Sequence, residues 1–126
     1  MGNLFYEASE TTPAVILDRD QGLLEVRGES YPENALAFFQ PVVEGVGGYL
    51  AQGNPSLTIR IDLSYLNTSS VKALMDILDR AEEAHERGAA VEVEWVYDAE
   101  NDRSLEMAEE LREDMSLPFR VSPVSR

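Results

Sequence analysis

The sequence predicts an α/β fold: a single domain in which helices pack on a mixed β-sheet, in the order β-β-α-β-α-β-α-(β). Two junctions carry this prediction. An alternating run, Leu57, Ile59, Ile61 and Leu63, gives way within a few residues to apolar positions at helical spacing, Val71, Leu74, Met75 and Leu78. A second alternation, Val91, Val93, Trp95 and Tyr97 against Glu92, Glu94, Val96 and Asp98, precedes an acidic amphipathic stretch over 99–115. Strand-to-helix handovers repeated in this way satisfy the crossover rules of a sheet layered with helices.

The elements follow in order. Residues 1–12 are polar and irregular and form a loose lead-in. Residues 14–17 are a short strand, 18–22 a turn ending in Gly22, and 23–28 a second strand, which together predict an antiparallel hairpin. A helix opens at Tyr31-Pro32-Glu33-Asn34, with Ser30 as its cap and Pro32 near its first position. It presents Phe38, Phe39, Val42, Val43, Val46, Tyr49 and Leu50 at helical spacing. Pro41 lies inside this helix and predicts a kink or interruption, and Gly45, Gly47 and Gly48 lower its intrinsic stability. Close packing of a small-residue face on the sheet accounts for the glycines. After the loop Gln52-Gly53-Asn54-Pro55, a strand over 56–64 leads to a helix over 68–87 that Gly88 ends. The half-buried strand over 91–97 and the helix over 99–115, with Leu105, Ala108, Leu111 and Met115 inward, come next. Leu117-Pro118 stops that helix, and Phe119-Arg120-Val121 forms a last edge strand.

Composition narrows the function. At 126 residues and 14.0 kDa the chain can bury one core without covalent staples. It has no cysteine, which excludes disulfides, thiolate metal sites and cysteine nucleophiles. No apolar run approaches the ~20 residues of a membrane-spanning helix, and the N-terminus shows no basic region followed by an apolar one, so a soluble cytoplasmic protein is expected. Ten basic residues against 24 acidic ones give a net charge of −14. Such a surface repels nucleic-acid phosphates and anionic lipid, so neither nucleic acid nor direct membrane binding is expected. A protein partner with a basic or apolar surface is electrostatically welcome. Most of the acids lie between Asp76 and Ser116, where a solvated face accounts for them without a metal site.

Enzyme chemistry finds little support. His85 is the only histidine and falls at the end of a helix, where packing or capping explains it. There is no Gly-x-Ser-x-Gly turn, no Walker loop and no Gly-x-Gly-x-x-Gly motif. Asp62 stands at a strand end like a phosphoryl-accepting aspartate, but the carboxylates and separate lysine of such sites are missing, the sole lysine being Lys72 on the next helix turn. Asn67-Thr68-Ser69 matches a glycosylation acceptor that a cytoplasmic chain does not use. The chain therefore reads as a non-enzyme with no cofactor, no metal and no small-molecule substrate.

The stretch Asn67-Thr68-Ser69-Ser70 survives this elimination. It sits where a strand hands over to a helix, whose first turn has unpaired N–H groups and the positive end of the macrodipole. Hydroxyls there can cap the helix, hold an anion, or be phosphorylated. One cap is worth about 1 kcal/mol and needs one such residue, so four exceed the requirement. Phosphorylation within 68–70 would add about −1.5 to −2 charges where the folded chain tolerates them. Lys72 can pair with such a phosphate, and a partner packed there would meet a bulky dianion. Tyr31, following a neighbouring strand, is either structural or an exposed anchor for that partner.

A strand followed by Asp62-Leu63-Ser64 and a Ser-Ser pair opening a helix resembles the anti-sigma-factor antagonists and the wider STAS fold, although Asn67-Thr68 replace the usual aspartate and Val71 the usual glycine. A closer resemblance is to the SiaC-type regulatory phosphoprotein family. It rests on Ser30-Tyr31-Pro32-Glu33-Asn34, Tyr65-Leu66-Asn67-Thr68-Ser69-Ser70, Lys72 to Leu78, Ala81 to His85, and Trp95-Val96-Tyr97-Asp98. The resemblance implies a STAS-like domain over 13–122, with 1–12 as lead-in and 123–126 as tail. It implies phosphorylation at Thr68 and a switch surface of Tyr31, Tyr65, Leu66, Asn67, Ser69, Ser70 and Lys72. It also implies three protein partners: a dedicated kinase, a PP2C-type phosphatase, and a diguanylate cyclase activated by the unphosphorylated form, acting on cyclic-di-GMP-dependent aggregation or biofilm formation in a bacterium. The rival readings are a passive STAS-like binding module, an anti-sigma-factor antagonist, and a small-anion or nucleotide sensor at the same helix start.

Overall fold

The computed structural model describes residues 3–53 and 55–125. The first two residues of the lead-in, Asn54 of the loop and the last residue of the tail lie outside the described residues. The elements are β1 (Leu4–Tyr6), β2 (Ala14–Asp18), β3 (Leu23–Ser30), α1 (Ala35–Leu50), β4 (Ser56–Leu66), α2 (Thr68–Glu86), β5 (Ala90–Asp98), α3 (Asp102–Glu113) and β6 (Phe119–Val124). They build one mixed sheet whose spatial order equals the chain order, β1-β2-β3-β4-β5-β6. The first three strands are antiparallel, and β3 through β6 are parallel.

This order dictates the layering. Each connection β3-α1-β4, β4-α2-β5 and β5-α3-β6 steps one strand in the same direction, so right-handed crossovers place all three helices on one face. Burial agrees: Leu24, Val26, Ile59, Ile61, Val93 and Trp95 from the sheet share one core with Phe39, Val42 and Val46 of α1, Leu74, Ile77 and Leu78 of α2, and Ala108 of α3. Trp95 Nε1 donates to Ser104 Oγ of α3 at 3.0 Å, which satisfies the one polar group that this large side chain takes inside. No helix among the described residues is long and apolar enough to cross a membrane.

The other face of the sheet has no helical layer. Across it runs a row of alternating charge, Glu25, Arg60, Glu94 and Arg120, on register-matched positions of β3 to β6. Arg60 pairs with Glu25 at 3.3 Å and Glu94 at 3.2 Å, and Arg120 with Glu94 at 3.8 Å and Glu92 at 3.5 Å. Partly exposed pairs of this kind add little stability. Their effect is on register, because a slip of one residue would turn the whole row into the apolar layer.

Several expectations need correction. The lead-in is not loose throughout: Leu4–Tyr6 forms β1 against β2, with Leu4 opposite Leu17 and Tyr6 opposite Val15. Its inward residues have a seat, because Gly45 leaves room on α1 for Leu4 and Leu17, and the Tyr6 ring lies 5.7 Å from that of Phe38. Helix α1 starts at Ala35 rather than at Tyr31, and its cap is Asn34, whose Oδ1 accepts from Ala37 N. Ser30 is instead the buried last residue of β3. Pro41 does not interrupt α1, which continues through it with the proline on the exposed side. The last strand runs on to Val124 and takes two residues from the expected tail. Gly22, in the hairpin turn, has φ +63°, and a Cβ there would run into the Ser56 carbonyl oxygen, so only glycine fits.

One carboxylate ties α2 to the segment between α3 and β6. Glu82 on α2 accepts from Ser116 Oγ at 2.6 Å, Ser116 N at 3.0 Å and Leu117 N at 3.1 Å. The Ser116 hydroxyl, with the two backbone donors and His85 nearby, holds its carboxyl below the usual 4.5 against an opposing effect of burial. A depressed carboxyl stabilises the fold above its unfolded-state value, and that contribution disappears as pH falls through the folded-state value. Glu82→Gln should therefore lower stability at neutral pH, and the gap to the parent chain should close below about pH 4.5, as read from urea midpoints across pH.

Candidate functional site

Strands β3 and β4 run parallel and end level, Ser30 opposite Leu66, so the starts of α1 and α2 lie side by side at the carboxyl edge of the sheet. The last residues of β4 are set by an irregularity: Gly28 pairs with Leu63 but Glu29 pairs with Tyr65, leaving Ser64 as an extra residue. The alternation Leu57, Ile59, Ile61, Leu63 would put Tyr65 inward. The extra residue shifts the phase, and Tyr65 is 49% exposed instead. Ser64 Oγ donates to the Gly28 carbonyl at 3.3 Å, and the Ser64 carbonyl accepts from Asn101 Nδ2, the α3 cap, at 3.0 Å. Tyr65 meets Tyr31 edge to face with ring centres 5.9 Å apart, and both rings are exposed.

Asn67 closes α2. Its Oδ1 accepts from Ser70 N at 2.9 Å and from Ser69 Oγ at 3.3 Å, while its Nδ2 donates to the Pro32 carbonyl at 3.0 Å. The backbone N–H of Asn67 donates to the Ser30 carbonyl at 2.9 Å. Thr68 is the first helical residue, exposed, and its hydroxyl has no hydrogen-bond partner among the described residues. Ser69 is half-buried. Ser70, expected on the switch surface, is fully buried, and its Oγ lies 2.7 Å from Ser30 Oγ. The reason is helical geometry: Ser70 shares the inward stripe of Ala73, Leu74 and Ile77, a signal present in the sequence.

The expected residues Tyr31, Tyr65, Asn67, Thr68 and Ser69 therefore come together at one edge. Leu66 is half-buried beneath them, and Lys72 stands one turn along α2, exposed and in no ion pair among the described residues. No acid lies in the first turn of α2, so its N-terminal partial charge is uncompensated by its own side chains. Farther along, burial and then Asp76 and Glu83 push the Asp79 carboxyl upward. Three exposed apolar side chains escaped the sequence reading: Phe5 in the lead-in, Met75, counted inward from its spacing, and Leu36 in the first turn of α1. His85 lies in the last turn of α2, at the opposite end from Thr68. Among the described residues no His/Cys/Asp/Glu group is arranged to hold a metal.

Comparison with known proteins places this geometry. The model of the SiaC family regulatory phosphoproteins matches residues 6–124. A protein of Pseudomonas aeruginosa strain UCBPP-PA14, described as uncharacterised, is 46% identical over 121 residues, 96% of each chain. The structure of SiaC of Pseudomonas aeruginosa superposes with a TM-score of 0.92 at 44% identity, over 98% of this chain and 100% of that one. A chain in the crystal structure of diguanylate cyclase SiaD in complex with its activator SiaC, from the same organism, gives 0.93 at 45% identity, over 96% and 99%. Fold and edge together define a STAS-like α/β module, one helical layer on one mixed sheet. The chain belongs to the SiaC family of regulatory phosphoproteins.

The Ser30–Ser70 contact holds β3 to the first turn of α2. Removing either hydroxyl leaves its buried partner unsatisfied, at about 1–3 kcal/mol. Ser70→Ala and Ser30→Ala should each cost about that much, and the double replacement less than their sum, as measured by urea unfolding.

Proposed function

We propose that this chain is a non-enzymatic, cytoplasmic partner-switching phosphoprotein of a bacterium. Unphosphorylated, it binds and activates a diguanylate cyclase. A dedicated kinase phosphorylates Thr68 and ends that contact, and a PP2C-type phosphatase restores it. The output is the cyclic-di-GMP level that governs aggregation or biofilm formation. Its likeness, over nearly the whole chain, to the activator bound to SiaD supports the cyclase partner.

One observation supports the switch above the others: of the three hydroxyls at the head of α2, Thr68 alone is exposed and without a hydrogen-bond partner among the described residues. A phosphate there adds about −1.5 to −2 charges beside the helix N-terminus and Lys72, so the folded chain keeps its structure. A partner lying over the Tyr31–Tyr65 pair loses instead, because closing an apolar contact over the dianion strips water that an apolar partner surface does not replace. The signal is thus a change of surface rather than a change of fold.

Incubation with ATP and lysate of the source cell should add the mass of one phosphate to the parent chain and none to Thr68→Ala. Thr68→Ala should stimulate the cyclase constitutively, and Thr68→Glu should bind it at least about tenfold more weakly, a difference of about 1.4 kcal/mol. Equal cyclase binding by parent, phosphorylated and Thr68→Ala chains would remove the switch.

A further inference from the structure

We propose that Asn67 is the positioning residue of the docking surface: one side-chain amide closes the helix that carries Thr68 and fixes Tyr31 against Tyr65. The inference rests on the partner-switching reading above and adds what holds its surface in shape.

The geometry around Tyr31 is the basis. The carbonyl of Ser30, just before Tyr31, accepts from Asn67 N at 2.9 Å, and the carbonyl of Pro32, just after it, accepts from Asn67 Nδ2 at 3.0 Å. Tyr31 N donates to the Thr11 carbonyl at 2.8 Å. Proline fixes its own φ and restricts the residue before it, so Tyr31-Pro32 has few soft dihedrals to begin with. With the carbonyls on both sides of Tyr31 held by Asn67, the backbone that carries the ring is fixed where the ring meets Tyr65 edge-on.

Capping alone would not require this amide. Aspartate and serine cap as well as asparagine, since the cap uses only an acceptor oxygen. Asn34 caps α1 through Oδ1 with no Nδ2 contact among the described residues, whereas Asn67 uses both ends. Because the amide is planar and rigid, a rotation that breaks the Oδ1 bonds to Ser69 and Ser70 also breaks the Nδ2 bond to Pro32. The turn next to Thr68 and the loop bearing Tyr31 therefore move together.

Asn67→Asp and Asn67→Ser keep the cap acceptor and delete the donor, and Asn67→Ser carries the comparison if the aspartate variant folds poorly. Both should melt close to the parent chain, lose the cross-peak between the Tyr31 and Tyr65 rings in NMR spectra, and bind the cyclase about tenfold more weakly when unphosphorylated. In a Tyr31→Ala background the same substitutions should change binding less than about twofold. A ring contact that persists in both variants, an equal loss in the two backgrounds, or a Tyr31→Ala chain that binds like the parent would each overturn the proposal. If the parent chain itself does not bind the cyclase, the partner-switching reading fails, and the ring contact alone then decides the positioning role.

Discussion

The extra residue at Ser64 decides what the carboxyl edge of the sheet looks like. Up to Leu63, β4 alternates strictly, and every second side chain enters the helical layer. Without the phase shift, Tyr65 would follow Leu63 inward and Leu66 would take its place outside. With it, Tyr65 faces solvent beside Tyr31, and Asn67 arrives where its side chain can reach both the first turn of α2 and the Pro32 carbonyl. The shift is anchored on both sides, by the Ser64 hydroxyl on Gly28 and by the α3 cap on the Ser64 carbonyl. The end of β3 and the start of α3 are thus both tied to one irregular residue of β4.

The run Asn67-Thr68-Ser69-Ser70 looked redundant for capping, and the fold gives each member a separate task. Successive helical residues point about 100° apart, so three hydroxyls in a row cannot face the same way. Ser70 turns in to Ser30, Ser69 leans on the cap, and Thr68 turns out. Asn67 precedes them and closes the turn. Polarity alone therefore misleads about accessibility here.

Much of the architecture was legible in the sequence because its elements are long and strongly periodic. β4 and β5 alternate over many residues, and α2 carries an unbroken inward stripe through Ala73, Leu74, Ile77 and Leu78. The parts that were not legible are short or set by neighbours. β1 has three residues, too few for a period, and it exists because Gly45 opens a seat for Leu4. Ser30 and Asn34 both resemble caps, and only the pairing of Ser30 with Leu66 excludes the first. The strand order and the irregularity at Ser64 arise from pairing between distant segments, which no local pattern records. At the site, spacing alone left three hydroxyls open and only the resemblance singled out Thr68; burial then distinguishes an exposed Thr68 from a buried Ser70, which its spacing to Ala73 and Leu74 could have placed. Met75 fits the apolar pattern of α2, yet it lies just past the edge that the sheet covers and is 46% exposed.

The uncovered face of the sheet has a colloidal consequence. Another sheet or an apolar surface laid on it would have to dehydrate the four charges in the row from Glu25 to Arg120, at several kcal/mol per ion after relaxation. Face-to-face stacking is thus discouraged without a second layer of helices. Of the five large apolar side chains exposed among the described residues, four (Tyr31, Leu36, Tyr65 and Met75) lie at the helix heads or within two turns of them. Stickiness is thereby concentrated at one pole of the molecule, with Phe5 on the uncovered face of β1 as the exception.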